Sequence, residues 1–113
     1  WSGQYCITVY VSGIRFYQPI RIGELVEVSA RVIHTGKTSM HIAIDVSASD
    51  LKQQKYAKTT HCIIVFVAVD ADGRPAPVRP WLPQNEQDQA LEQHAIKLMA
   101  LRKDIEDEMS AYR

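Results

Sequence analysis

The sequence predicts an α+β chain in which a four-stranded antiparallel sheet is followed by one helix. Three observations carry this. Apolar and polar residues alternate with a period of two, rich in β-branched types, in four runs between residues 5 and 69. Pro19, Gly23, Gly36, Gly73 and Pro75 punctuate those runs. Beyond residue 84 the apolar spacing changes to three and four. The 113 residues leave room for one domain, and 46% hydrophobic with 23% charged residues are globular values that exclude disorder and fibrous repeats.

The first strand is read at Tyr5–Gly13, with Ile7, Val9 and Val11 on one face and Cys6, Thr8, Tyr10 and Ser12 on the other. Residues 16–23, broken by Pro19 and Gly23, form a connection. The second strand runs from Glu24 to His34, with Val26, Val28, Ala30 and Val32 opposite Glu27, Ser29 and Arg31. Thr35, Gly36 and Lys37 turn the chain. In the third strand, Thr38 to Ser49, Met40, Ile42, Ile44, Val46 and Ala48 alternate with Ser39, His41, Ala43, Asp45 and Ser47. Residues 50–55 are polar and read as a loop. The fourth strand, Lys58 to Val69, is apolar on both faces: Ile63, Val65, Val67 and Val69 against Cys62, Ile64, Phe66 and Ala68. Such a strand belongs in the middle of a sheet. Strands two to four then form a meander, and the first pairs with the fourth, leaving its own outer edge bare.

Asp70 to Pro75 ends the fourth strand, and four prolines from Pro75 to Pro83 keep the next stretch extended. Asn85 caps a helix with Glu86 and Asp88 in its first turn, where the dipole favours anions. Leu91, Ala95, Leu98, Arg102, Ile105 and Met109 form one stripe, widened by His94 and Leu101. Arg102–Glu106 and Lys103–Asp107 are spaced for ion pairs on the wet side. This acidic helix follows a proline tether and is not expected to fill the apolar face of Met40, Ile42 and Ile44.

Lys plus Arg and Asp plus Glu each number 13, so the net charge is zero and no basic footprint for a nucleic-acid partner exists. The distribution is uneven. Residues 1–80 hold 9 basic and 6 acidic residues, and residues 81–113 hold 4 and 7. The first part suits an anion. No apolar run approaches the roughly 18 residues of a membrane span, and no charged-then-apolar leader is seen. A cytoplasmic protein with no membrane partner is expected. The chain begins at Trp1 rather than Met, as expected of a fragment or a processed chain. Cys6 and Cys62 lie in apolar runs and are expected to be buried, reduced thiols.

Asp70-Ala71-Asp72-Gly73 has the opening of a calcium loop without its third acid or distal Glu, so it reads as a turn. His34, His41 and His61 lack the compact spacing of a zinc site. No metal and no cofactor is expected. His61 and Cys62 are strand neighbours that point to opposite faces, which rules out a Cys-His nucleophile pair. Asp45 lies on a polar strand face and is expected to be solvated.

Three blocks resemble one family. They are Phe16-x-x-Pro19-Ile20-x-Ile22-Gly23-Glu24-x-Val26, then Thr35-Gly36-Lys37-Thr38-Ser39-Met40, then Phe66-Val67-Ala68-Val69-Asp70-x-Asp72-Gly73-Arg74-Pro75. In this order and spacing they resemble the hotdog-fold acyl-CoA thioesterases, in particular the bacterial acyl-CoA hydrolases. The resemblance covers residues 5 to about 80. It implies a hotdog fold, with residues 1–80 a partial hotdog sheet and 81–113 a C-terminal helical extension. It implies hydrolysis of a fatty acyl-CoA to free acid and CoA, as in fatty acid metabolism, and a homodimer or a trimer of dimers. The family's central helix and its catalytic carboxylate or Asn would lie before Trp1. No catalytic residue is therefore carried over, and residues 1–113 alone are expected to be inactive. Two rival readings stand beside this one: a non-catalytic CoA- or acyl-binding module, and a fragment that completes an oligomer.

For Gly36, Lys37, Thr38 and Ser39 a plain hairpin turn suffices. The resemblance implies that they contact CoA, with Lys37 where the family more often has Arg. It likewise implies that Arg74 and Arg79 face the CoA nucleotide, and that Thr8 and Tyr10 border the acyl channel. Val26, Val28, Met40, Ile42, Ile44 and Val65 would form the face that the central helix covers.

Overall fold

The computed structural model describes residues 1–50, 52 and 55–111, with Ser12 and Gly13 by backbone alone. The four alternating runs become strands β1 (Tyr5–Phe16), β2 (Leu25–Thr35), β3 (Ser39–Ser49) and β4 (Tyr56–Val69). They form one antiparallel sheet in the order β1-β4-β3-β2. The expected pairing of the first strand with the fourth is present, and the doubly apolar β4 is internal. In the loop after β3, Asp50 Oδ1 accepts from the Lys52 amide at 2.7 Å; Leu51, Gln53 and Gln54 lie outside the described residues.

Register decides which residues share a face, because directly opposed side chains point the same way. His41 opposes Val65, Ala43 opposes Ile63 and Asp45 opposes His61, which defines one face. Met40 opposite Phe66, Ile42 opposite Ile64 and Ile44 opposite Cys62 define the other. Val65 therefore belongs with His41 and not with Met40, Ile42 and Ile44, contrary to expectation. The second correction is in β1. Its register against β4 shifts between Thr8 and Tyr10. A bulge of one residue flips the alternation. Thr8 opposes Phe66 and Tyr10 opposes Val65, so the two occupy opposite faces instead of sharing one. β1 also runs on to Phe16, with a second irregularity between Ser12 and Arg15; the Ser12 side chain lies outside the described residues.

Helix α1 spans Glu86–Ser110. Asn85 caps it as expected, its Oδ1 accepting from the Asp88 amide at 2.8 Å, and Asp88 Oδ2 in return accepts from the Gln84 amide at 3.0 Å. Ala95 is fully buried against Ile33, Ala43 and Ile63, flanked by Leu91 and Leu98. The helix thus covers the His41–Ala43–Ile63 face and leaves the Met40–Ile42–Ile44 face to others, in line with expectation. On that second face Met40 and Ala68 are buried with Val78, where residues 76–78 fold back over the sheet. The Ala76 amide donates to the Ala68 carbonyl at 2.8 Å. Further along the same face, Val26 and Val28 of β2 are exposed.

Candidate functional site

Three segments, the last two successive in the chain, meet at one end of the sheet. The first is the β2–β3 turn, closed by the Gly36 amide donating to the Ser39 carbonyl at 3.0 Å. A Cβ on Gly36 would stand 2.6 Å from Ser39 Oγ, so glycine leaves space for that hydroxyl. The second is the turn from Asp70 to Arg74. Asp70 Oδ1 accepts from the amides of Asp72 (2.9 Å) and Arg74 (3.0 Å), and Gly73 adopts φ +77, a value open to glycine at little cost. The Asp70 carboxylate is thereby engaged by its own turn. Among the described residues no cluster of three or more His, Cys, Asp or Glu side chains is placed to hold a metal. The third is the extended stretch through Arg79. The Val78 amide donates to the Lys37 carbonyl at 3.0 Å, and the Ala68 amide to the Thr38 carbonyl at 3.0 Å.

The carbonyls of Lys37 and Thr38 thus tie these segments together, and the side chains of Lys37, Arg74 and Arg79 are left facing water. The Arg79 guanidinium lies 4.0 Å from the Trp1 ring centroid, and Trp1 Nε1 donates to the Arg79 carbonyl at 3.1 Å. The Thr35 hydroxyl accepts from the Trp81 amide at 2.9 Å. Beside the cations a groove of about 630 Å³ opens, with Met40, Ile42 and Phe66 in its wall and residues 1–6 along its rim. None of its lining residues is acidic. Neither Thr8 nor Tyr10 lines it. Tyr10 instead sits on the helix side, its ring 4.3 Å beneath the Arg102 guanidinium.

Two polar clusters on the helix side were not foreseen. Asp45 is not merely solvated: its Oδ1 is 2.7 Å from His61 Nδ1 and 2.8 Å from Lys58 Nζ. Burial alone would raise the Asp45 carboxyl, but hydrogen bonds from Lys58 and His61 and their charges outweigh it and hold the group below its ordinary value. Near the helix start, His34 Nδ1 is 3.0 Å from Glu92 Oε2. The His34 ring meets His41 edge to face at a centroid distance of 5.2 Å. His41 is 3% exposed, and its pKa falls to about 4 through burial, then the charges of His34 and Arg102. A spacing of 58 residues between His34 and Glu92 leaves no local signal in the sequence. Of the two helix-surface pairs expected, Arg102–Glu106 closes to 2.8 Å, and Lys103–Asp107 does not form among the described residues.

The cysteines are free, but Cys6 is exposed rather than buried and Cys62 half-buried. Burial first, and the Asp45 charge second, push the Cys62 thiol up. That disfavours the thiolate a nucleophile needs. His61 and Cys62 lie on opposite faces, as expected.

Residues 2–54 match the thioesterase superfamily. The chain is 30% identical over 105 residues to Protein VdlD of Helicobacter pylori, spanning 89% of this chain and 60% of that protein. It is 40% identical over 76 residues to the acyl-CoA thioester hydrolase YciA of Salmonella typhimurium, spanning 64% and 56%. The chain thus spans 60% or less of the length of these relatives. Among solved structures, an acyl-CoA hydrolase from Bacillus cereus superposes with a TM-score of 0.87 at 23% identity, over 99% of this chain and 70% of that one. An apo-hexameric acyl-CoA thioesterase superposes with a TM-score of 0.81 at 28% identity, over 99% and 69%. Sheet order, helix placement and the superpositions agree: the chain has the hotdog fold, and its residues 2–54 match the thioesterase superfamily.

Proposed function

We propose that the protein hydrolyses a fatty acyl-CoA to the free acid and CoA. The observation that carries this is that the backbone segments bearing Lys37, Arg74 and Arg79 meet at one sheet end, and that Arg79 packs on Trp1 at the rim of a groove walled by Met40, Ile42 and Phe66. Cations suit the phosphates of CoA, and the groove suits an apolar chain. In this reading Gly36, Lys37, Thr38 and Ser39 contact CoA, and Arg74 and Arg79 face its nucleotide. The likeness to proteins named acyl-CoA thioester hydrolases supports it.

Thioester hydrolysis needs a positioned water or attacking carboxylate, with donors for the developing oxyanion. The groove offers no acid, so the carboxylate is proposed to come from sequence outside residues 1–113. The direct test follows free thiol released from acyl-CoAs of graded chain length by the whole protein. Absence of turnover on every chain length would refute hydrolysis. CoA binding that survived such a failure would point to a non-catalytic acyl-CoA-binding module. Turnover by residues 1–113 alone would place the reacting group within them.

Lys37→Ala is expected to weaken CoA binding by up to ~1–2 kcal/mol, the worth of a charge-assisted hydrogen bond. The side chain is exposed, so the melting temperature should barely move. Equal calorimetric affinity in the two proteins would remove Lys37 from the site.

The reading includes a cytoplasmic setting, a role in fatty acid metabolism and a homodimer or trimer of dimers. Two free thiols agree with a reducing compartment. No described helix is long and apolar enough to cross a membrane. The 12-residue edge strand β1 supports assembly, since long bare edges tend to be paired, and several similar structures are described as hexameric.

A further inference from the structure

Helix α1 is longer than the sheet it covers. It starts over β2, where Glu92 meets His34, buries Ala95 against Ala43 and Ile63 of β3 and β4, and reaches β1 where Arg102 lies over Tyr10. β1 is the last strand of the sheet. Residues 103–110 continue past it for about 12 Å, the width of roughly two more strands at ~4.8 Å spacing. The sheet-facing stripe continues too. Ile105 and Met109 follow Leu98 and Arg102 at three- and four-residue steps and so face the same way. Yet Ile105 is 50% and Met109 69% exposed. A stripe that buries its first half on a sheet, then repeats for two turns over no described strand, fits a wider sheet.

The sheet can widen only at β1 on this side. That edge has no neighbour among the described residues, and on its helix side Ile7 is 53% exposed. We infer that residues 101–109 of α1 dock over β1 of a second copy paired edge to edge with the first, so that each helix roofs the partner's sheet across the seam. A two-fold axis normal to the sheet keeps both helix-bearing faces on one side. Charge agrees with this occupant. Residues 103–110 carry four acidic side chains and one basic, whereas residues 1–23 carry Arg15 and Arg21 and no acid. The same acidity opposes an anionic bilayer.

The inference rests on the homodimer reading above, and the test separates the two. Sedimentation and light scattering are run on the whole protein and on the double variant Ile105→Glu, Met109→Glu, from nanomolar to high micromolar concentration. Both positions are exposed within the chain, so the variant should keep its circular dichroism. The wild type should associate, and the variant should do so at least about a hundredfold more weakly, since exposing one such side chain is worth tenfold or more. Amide exchange in residues 101–110 of the wild type should slow as concentration rises. A variant that dimerises as tightly as the wild type, or exchange indifferent to concentration in a protein that does dimerise, overturns the helix inference and leaves edge pairing standing. A wild type that stays monomeric overturns both.

Discussion

Ile63→Ala is expected to lower the unfolding free energy by about 3–4 kcal/mol and the melting temperature by more than about 10 °C. Ile63 is 1% exposed on the central strand and is enclosed by Ile33, Ala43 and Ala95. Ile33 and Ala43 are held by the sheet register, and the third neighbour, already an alanine, by the helix. Little can move in to fill the void, which puts the cost in the middle to upper part of the usual range. Against a typical total of roughly 5–15 kcal/mol, such a loss is large. Ile22→Ala is the control: that side chain is fully exposed, and the change should stay within about 0.5 kcal/mol. Urea melts read both. A loss below about 1 kcal/mol at Ile63 would show that the helix does not hold the sheet face closed.

Acid should destabilise the same helix-to-sheet contact by a comparable amount. His41 has a folded-state pKa near 4 against an ordinary 6.5, because burial and then the charges of His34 and Arg102 resist its protonation. Above pH 6.5 it is neutral in both states and contributes nothing. Between pH 6.5 and about 4 the unfolded chain takes up a proton that the folded chain refuses, so stability falls with falling pH. At about 1.4 kcal/mol per unit, the loss approaches ~3 kcal/mol near pH 4. The groups facing His41 are the His34 ring, with Glu92 behind it, and Arg102 from the helix. Asp45 has the opposite sign of shift. Its carboxyl is held below the ordinary value, so its contribution is present above the usual carboxylate range and lost only below about pH 4. Melting temperatures from pH 7.5 to 4.5 therefore cover the His41 limb and stop short of the Asp45 one. His41→Leu should flatten that limb, and an unchanged slope in the variant would assign the acid sensitivity elsewhere.

The strands and the helix were legible because each signal is local. Period-two runs mark β2, β3 and β4, and Asn85 with Asp88 marks the helix start, where the cap bond is found. Even the internal place of β4 follows from its two apolar faces. What was not legible depends on register. The Val9 position adds one residue to β1 with no glycine or proline to announce it, and that moves Tyr10 from one face to the other. Assigning Val65 to a face requires knowing that His41, and not Met40, stands opposite it. The candidate site was legible in the same partial way. Turn chemistry located Gly36–Ser39 and Asp70–Arg74, but their meeting depends on hydrogen bonds such as that from Val78 to Lys37, across 41 positions. Asp45, His61 and Lys58 come together only once β3 and β4 are aligned.

The sheet order also sets a schedule. β2, β3 and β4 are successive hairpin partners, and their contacts close over short stretches of chain. β1 must wait for β4, with partners from 44 positions apart (Phe16 and Thr60) to 64 (Tyr5 and Val69). Closing loops of that size costs more entropy and slows folding. On the ribosome β1 emerges before β2, β3 and β4, yet it cannot pair with β4 until those strands have been made. During that interval both of its long edges are unpaired, and the nascent chain carries a strand ready to join any exposed sheet, which makes synthesis rate and chaperone access the expected determinants of its yield.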